Sequence, residues 1–109
     1  MSAPWPKWYR PPTRAFRVDR MIREACNAYG IEPGQFISAG RFKHYVRPRQ
    51  AVCLVLRNSR KELSYPQIAR LVGRKDHSTI IHAINQAEVL RGTDELFGAL
   101  CDRLEMLAA

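Results

Sequence analysis

Residues 64–90, SYPQIARLVGRKDHSTIIHAINQAEVL, contain two helical patterns that are separated by a short polar segment. In the first pattern, Ser64 suits the N-cap and Pro66 the first turn of a helix. Gly73 then supplies the backbone freedom that a sharp turn requires. Apolar residues recur at helical spacing on both sides of this glycine. They are Ile68, Leu71 and Val72 before it, and Ile80, Ala83, Ile84, Ala87 and Leu90 after it.

Two helices joined by a tight turn are the layout of a helix-turn-helix, whose second helix enters the DNA major groove. The N-terminus of that second helix carries the polar run Lys75, Asp76, His77, Ser78 and Thr79. Free backbone N–H groups and the helix dipole attract phosphate there. Lys75 and His77 can donate to guanine, and Ser78 or Thr79 can meet a base or a phosphate. Asp76 can cap the helix or accept from cytosine, and both roles stay open.

The histidines and cysteines do not predict a metal site. His82 lies five residues beyond His77, about 140° around the helix, so the two do not form a metal pair. A phosphate donor or a half-buried polar residue is the expected role of His82. Cys26, Cys53 and Cys101 are widely spaced and form no CxxC, so they are expected to be small buried hydrophobic residues. No cofactor and no metal are predicted.

Positive charge is concentrated in the first two thirds of the chain, whose total net charge is +8. Residues 1–75 hold 16 Lys and Arg against 4 acidic residues, a net charge of +12, and residues 76–109 hold 2 against 6, a net charge of −4. This asymmetry predicts a polyanionic partner. Nucleic acid is favoured over an anionic membrane, because no segment pairs a basic face with a bulky aromatic face.

The 109 residues, 46% of them apolar, predict one small globular domain. No apolar run approaches the roughly 20 residues of a bilayer span, and no secretory signal is present, so a cytoplasmic, nucleoid-associated protein is expected. The sequence also holds no phosphate loop of the GxxxxGK[ST] type and no nucleophile–base pair. These absences predict that the chain is not an enzyme.

Residues 1–17 are expected to form an irregular leader, and residues 18–109 the helical domain. The leader holds four of the seven prolines, which disfavour a helix. Its Trp5 and Trp8 pack loosely on the domain in one interpretation. In the other, the leader is a basic arm that stacks on bases or follows a minor groove.

Outside residues 64–90, every predicted element is also helical, so the expected fold class is an all-α bundle. The predicted segments are Val18 to Tyr29, ended by Gly30; a short turn over residues 33–37; Arg47 to about Ser59; and about Thr93 to Leu107. The inner faces are expected to consist of Ala51, Val52, Val55 and Leu56 in the third segment, and of Leu96, Leu100, Leu104 and Leu107 in the last. A basic loop over residues 40–45 is predicted between the second and third segments.

Two basic groups accompany the helix-turn-helix. The first consists of Arg41, Lys43, Arg47 and Arg49 around the predicted loop. It is either a solvated surface or a set of phosphate anchors, with one arginine inserted into a minor groove. The second consists of Arg57, Arg60 and Lys61 at the end of the third helix, where cations suit the helix dipole. Arg60 is predicted to contact a phosphate.

Three motifs together resemble the C-terminal DNA-binding domain of the bacterial replication initiator DnaA. They are Arg47-Pro48-Arg49-Gln50, Leu63-Ser64-Tyr65-Pro66-Gln67-Ile68, and Asp76-His77-Ser78-Thr79-Ile80-Ile81-His82-Ala83. Their order and spacing agree with the family from about Met21 to the end of the chain. The resemblance implies an all-helical bundle with a helix-turn-helix and a preceding basic loop. It also implies a ligand, the DnaA box, which is an asymmetric A·T-rich duplex element.

Carried over by position, the resemblance implies a role for each motif. Arg47 would enter the minor groove, and Arg49 and Gln50 would hold the DNA backbone. Tyr65 and Pro66 would lie against the duplex. The bases would be faced by Lys75, Asp76, His77 and Ser78, with Thr79 on a phosphate or a methyl group. Two positions depart from the family pattern: Arg74 stands where a second glycine is usual, and Ser78 replaces a threonine.

The predicted function is therefore sequence-specific binding of a DnaA-box-like duplex, as a monomer and without ATPase activity. Such a protein would regulate transcription or modulate replication initiation. A replication or transcription protein is a possible further partner. The alternative is an adaptor that recruits a partner protein through its helical domain and the leader tryptophans, with only residual DNA affinity.

Overall fold

The computed structural model describes residues 16–37, 43–74 and 76–108, and all regular secondary structure in these ranges is helical. This confirms the predicted all-α class. The predicted leader up to residue 15, the loop residues 38–42 and Lys75 lie outside the described residues. The helices are α1 (Phe16–Tyr29), α2 (Pro33–Ile37), α3 (Lys43–Ser59), α4 (Tyr65–Leu71), α5 (His77–Thr93) and α6 (Glu95–Ala108).

Helix α3 is the centre of the bundle. Residues 51–56 are buried without a break, so this part of the helix is covered on every side. Helices α1, α5 and α6 pack around it. The buried run includes the predicted inner face and also Cys53 and Leu54. The burial of Cys53 raises the pKa of its thiol to about 12, and Cys26 and Cys101 are buried and free as well, as predicted.

Helix α1 ends as the sequence predicts but begins two residues earlier, at Phe16. Gly30 adopts a φ of 67°, and its N–H donates to the carbonyl of Asn27 at 3.3 Å. The N–H of Ile31 donates to the carbonyl of Cys26 at 3.0 Å. Together these bonds form a Schellman motif, which satisfies the last carbonyls of the helix.

Helix α3 begins at Lys43, so the predicted loop through Tyr45 was wrong in its second half. The prediction placed Pro48 in a first turn, where a missing N–H costs nothing. Pro48 instead lies in the second turn, where the carbonyl of His44 receives no hydrogen bond from it. The first turn of α3 also makes a contact with α2, in which Gln35 Nε2 donates to the hydroxyl of Tyr45 at 3.1 Å. Arg47 therefore lies on a helix.

Helix α6 was predicted with the wrong inner residue at its start. Leu96 is 49% exposed, whereas Phe97 is fully buried. Asp94 ends α5 and caps α6 by accepting from the N–H of Phe97 at 3.1 Å, and this new start sets which residues face inward. Leu100 and Leu104 are buried as predicted, and Leu107 is partly buried. The core also takes Cys101 and Ala108 from this helix.

The described ranges contain neither a candidate membrane span nor a candidate metal site. None of their helices is both long enough and apolar enough to span a bilayer. The same part of the chain contains no group of three or more His, Cys, Asp or Glu side chains that is placed to hold a metal ion.

Candidate nucleic-acid interface

Helix α4, the first helix of the helix-turn-helix, starts from a capping box. Ser64 Oγ accepts from the N–H of Gln67 at 3.3 Å, and Gln67 Oε1 accepts from the N–H of Ser64 at 2.8 Å. Pro66 lies in the first turn and is exposed. The N-cap role of Ser64 is confirmed. The part played by Gln67 was missed, although Ser-x-x-Gln is a recognisable signature of this motif.

The turn between α4 and α5 depends on Gly73, which adopts a φ of 76°. Its N–H donates to the carbonyl of Arg70 at 3.2 Å, and the N–H of Arg74 donates to the carbonyl of Ala69 at 2.7 Å. This is a second Schellman motif. Burial lowers the pKa of Arg74, a half-buried residue that directly follows Gly73. The turn chemistry that the sequence predicts at Gly73 is confirmed.

Asp76 is the N-cap of α5. Its Oδ1 accepts from the N–H of Ser78 at 2.9 Å and from Ser78 Oγ at 2.7 Å. Hydrogen bonds from the Ser78 hydroxyl and amide hold the pKa of Asp76 below its ordinary value, so the carboxylate is charged at neutral pH. The capping role is thereby established, and the contact with a base stays a prediction.

Helix α5 separates a buried apolar side from an exposed polar start. Ile80, Ala83, Ile84 and Ala87 are buried, as predicted. His77, Ser78, Thr79 and His82 are exposed, which excludes the half-buried interpretation of His82. Because α4 and α3 hold the apolar side, the first turn of α5 presents its polar residues outward. Lys75, which was also predicted to face bases, lies outside the described residues.

The first basic group is partly ordered by contacts within the protein. Arg47 Nη1 donates to Gln50 Oε1 at 2.9 Å, and Arg49 Nη1 lies 3.5 Å from the carbonyl oxygen of Phe36. Gln50, which accepts this bond, is buried and only 5% exposed. Arg41 and the side chain of Lys43 lie outside the described part of the chain.

The second basic group is linked to the start of α4. The guanidinium of Arg57 stacks 4.4 Å from the centre of the Tyr65 ring, and its Nη1 donates to the carbonyl of Leu63 at 3.1 Å. The sequence indicated only a dipole contact for Arg57, because stacking across a loop leaves no periodic pattern. Arg60 lies 3.6 Å from Glu62 in an exposed ion pair. Exposed pairs of this kind are weak, so Arg60 can exchange Glu62 for a phosphate.

Ion pairs link α6 to α5 and α1. Arg91 pairs with Asp102 at 2.9 Å and also with Glu105. Arg103 pairs with Glu24 at 3.0 Å. These pairs lie among α1, α5 and α6. None of them involves the polar residues at the start of α5.

A capped helix with an exposed polar start, a glycine turn before it and adjacent basic groups are together the features of the helix-turn-helix class of proteins. The family model described as bacterial dnaA protein helix-turn-helix matches residues 18–87. The chain therefore belongs to the bacterial DnaA helix-turn-helix family, whose helix-turn-helix region binds double-stranded DNA.

Curated relatives agree with this assignment. The chromosomal replication initiator protein DnaA of Sphingopyxis alaskensis is 38% identical over 77 residues, which cover 71% of this chain and 17% of that protein. The protein of the same name from Ruegeria pomeroyi is 33% identical over 98 residues, which cover 90% of this chain and 20% of the relative. The chain thus spans about a fifth of the length of the curated relatives it matches.

Proposed function

We propose that this chain binds a DnaA-box-like duplex in a sequence-specific manner. The observation that carries the proposal is the start of α5, where His77, Ser78 and Thr79 are exposed while Asp76 caps the helix. An N-terminus built in this way offers backbone N–H groups to a phosphate and side chains to base edges at the same time. The family membership supports the same ligand, and the proposed role is regulation of transcription or modulation of replication initiation.

In this proposal, the start of α5 contacts the major groove and Arg47 on α3 contacts the minor groove. His77 donates to guanine and Thr79 meets a phosphate or a thymine methyl group in the major groove, while Arg47 enters the neighbouring minor groove. Asp76 uses Oδ1 for the cap and Oδ2 for an amino group of cytosine. Further contacts to the duplex or its phosphates come from Arg41, Lys43, Arg49, Arg60, Tyr65, Pro66, Arg74, Lys75, Ser78 and His82.

The hydroxyl group of Ser78 already uses its hydrogen in a hydrogen bond within the protein. It donates to Asp76 at 2.7 Å, so in this arrangement it meets DNA only as an acceptor. An acceptor at this position suits the amino group of adenine or cytosine rather than a phosphate. We further propose that the chain binds the asymmetric box as a monomer and that it is located in the cytoplasm at the nucleoid. These residues are not expected to hydrolyse ATP.

Replacing His77 with alanine is expected to weaken binding to the box by roughly 1–3 kcal/mol and to relax discrimination at one base pair. The reason is that His77 is exposed in the first turn of α5, where a side chain reaches base edges. The measurement is fluorescence anisotropy with a series of duplexes that each carry one altered base pair.

Gln86→Ala is the matched control, because Gln86 is exposed on the same helix but lies about 180° around it from His77. Its affinities should equal those of the unaltered protein. Unchanged affinity and unchanged sequence preference in His77→Ala would show that His77 does not contribute to base recognition.

A further inference from the structure

Helix α2 (Pro33–Ile37) is too short to be stable by itself, so contacts with the rest of the chain must hold it in place. It follows α1 closely, and the N–H of Ile31 in the connection donates to the carbonyl of Cys26 at 3.0 Å. At its other end, Phe36 and Ile37 are fully buried, with 0% and 1% of their surface exposed. The end of α2 is therefore anchored in the bundle.

The side chain of Ile37 packs against the turn of the helix-turn-helix. A Cβ on Gly73 would lie 2.9 Å from Ile37 Cγ2 and 3.0 Å from Ile37 Cδ1, so these two methyl groups lie directly beside the backbone of the turn. Three residues further on, Asp76 caps α5, whose first turn carries the residues that are proposed to contact bases. Protein interiors are hard to compress, so Ile37 limits how closely the start of α5 can approach α2.

The same end of α2 also contacts the first turns of α3. The carbonyl oxygen of Phe36 lies 3.5 Å from Arg49 Nη1, and Gln35 Nε2 donates to the hydroxyl of Tyr45 at 3.1 Å. Arg49 belongs to the first basic group, which is proposed to contact the duplex. Consecutive residues of α2 thus contact two separate regions that are proposed to bind DNA.

The distance between two DNA-contacting regions matters because the groups that they bind are fixed along the duplex. Hydrogen bonds weaken steeply when their geometry is poor, and a binding site must hold its side chains within about 0.5 Å of the productive arrangement. Phosphate contacts set the register of the protein on DNA, whereas base contacts specify the sequence. An element that sets this distance should therefore affect base recognition more than general affinity.

We infer that α2 sets the spacing between the start of α5 and the start of α3, and that Ile37 is the positioning residue on the α5 side. The inference rests on the proposed function, because it assumes that both regions contact one duplex. Ile37 acts through the turn, since a side chain that is 1% exposed has no surface to offer DNA.

The test measures the preference of the whole chain for a DnaA-box duplex over a duplex of the same bases in scrambled order, by fluorescence anisotropy. The central variant is Ile37→Ala, which removes both methyl groups that face the turn. Leu104→Ala is the matched control, because Leu104 is also fully buried, loses the same number of carbon atoms and lies on α6, which carries none of the proposed DNA contacts.

Thermal unfolding without DNA sets a temperature at which all variants are folded. If either alanine variant does not fold, Ile37→Val and Leu104→Val replace the pair, since valine at residue 37 still removes the Cδ1 methyl group.

Ile37→Ala should reduce the preference for the box by about three- to tenfold, because the turn relaxes toward the vacated space and the start of α5 shifts. Its affinity for the scrambled duplex should stay within about twofold, since that binding depends on phosphate contacts alone. Leu104→Ala should leave both affinities unchanged at the same temperature, although it also destabilises the fold.

The link to α3 is tested by a double variant. Arg49→Ala removes a proposed contact on the α3 side, so the spacing between the two regions matters less in its background. Ile37→Ala should therefore reduce the box preference less when it is combined with Arg49→Ala than when it is made alone. Two independent effects would add instead.

The outcomes that would overturn the inference differ from a failure of the proposed function. If folded Ile37→Ala keeps the full preference, or loses no more of it than Leu104→Ala, Ile37 has only a packing role and the proposed function stands. If the effects of Ile37→Ala and Arg49→Ala on the preference add, α2 does not link the two regions. If the unaltered protein does not select the box at all, the proposed function fails and the inference fails with it.

Discussion

Replacing Gly73 with alanine is expected to lower the free energy of unfolding by about 2–5 kcal/mol, the sum of a left-handed backbone and an overpacked contact. Gly73 has a φ of 76°, which an alanine adopts only with strain. A Cβ at this position would also lie 2.9 Å from Ile37 Cγ2, a distance at which one of the two groups must move. Urea unfolding followed by circular dichroism measures the loss.

The chain provides a matched control in Gly30. It has a similar φ of 67° and also ends a helix, but a Cβ there would meet no atom within 4 Å. Gly30→Ala should therefore cost only the backbone strain, about 1–2 kcal/mol. Equal losses in the two variants would show that the close approach of the turn to α2 contributes nothing.

Gly73→Ala should also affect DNA binding at temperatures where the variant is still folded. Ile37 belongs to α2, so relief of the clash moves the turn away from α2 and shifts the start of α5. The affinity for a box should then fall more than the affinity for an unrelated duplex. Gly30→Ala, which lies outside the helix-turn-helix, should leave both affinities unchanged.

Raising the salt concentration fourfold, from about 0.05 M to about 0.2 M, is expected to weaken DNA binding by roughly 500- to 20,000-fold. The estimate assumes that the protein neutralises about five to eight phosphates, each of which contributes close to −0.9 to the slope of log affinity against log salt. The proposed cations include Arg49, Arg60 and Arg74. Anisotropy titrations at several salt concentrations give the slope.

Individual arginines can be tested against this slope. Arg60→Ala should make it shallower by about 0.9 and lower the affinity for every sequence alike. Arg103 is the matched control, because it lies on α6 in the acidic C-terminal part of the chain and pairs with Glu24 of α1. Arg103→Ala should therefore leave the slope unchanged. A nearly flat slope for the unaltered protein would contradict a phosphate-dominated interface and favour the adaptor hypothesis.

Local chemistry explains why much of the fold was predictable from the sequence. The N-cap Ser64, the turn at Gly73 and the C-terminal glycine of α1 each act on their own few residues, so the sequence alone determines them. The same holds for the apolar side of α5, which its spacing indicates. The exposed start of α5 follows directly from that spacing.

Features that depend on tertiary contacts were not predictable. The early start of α3 is accompanied by a contact between Gln35 and Tyr45, which lie ten residues apart and on different helices, so no periodic pattern indicates it. Which of Leu96 and Phe97 is buried depends on the position at which Asp94 caps the start of α6. Within the site, the hydrogen bond between Arg47 and Gln50 was not predicted, although both residues belong to the predicted helical segment from Arg47 to about Ser59.

The most direct test of the proposed function compares two duplexes at about 0.15 M salt, where screening is close to physiological. One duplex carries a DnaA box, and the other carries the same bases in scrambled order. Fluorescence anisotropy with the whole chain should show a preference of about tenfold or more for the box, which corresponds to about 1.4 kcal/mol. Equal binding to both duplexes would contradict sequence-specific reading by the start of α5.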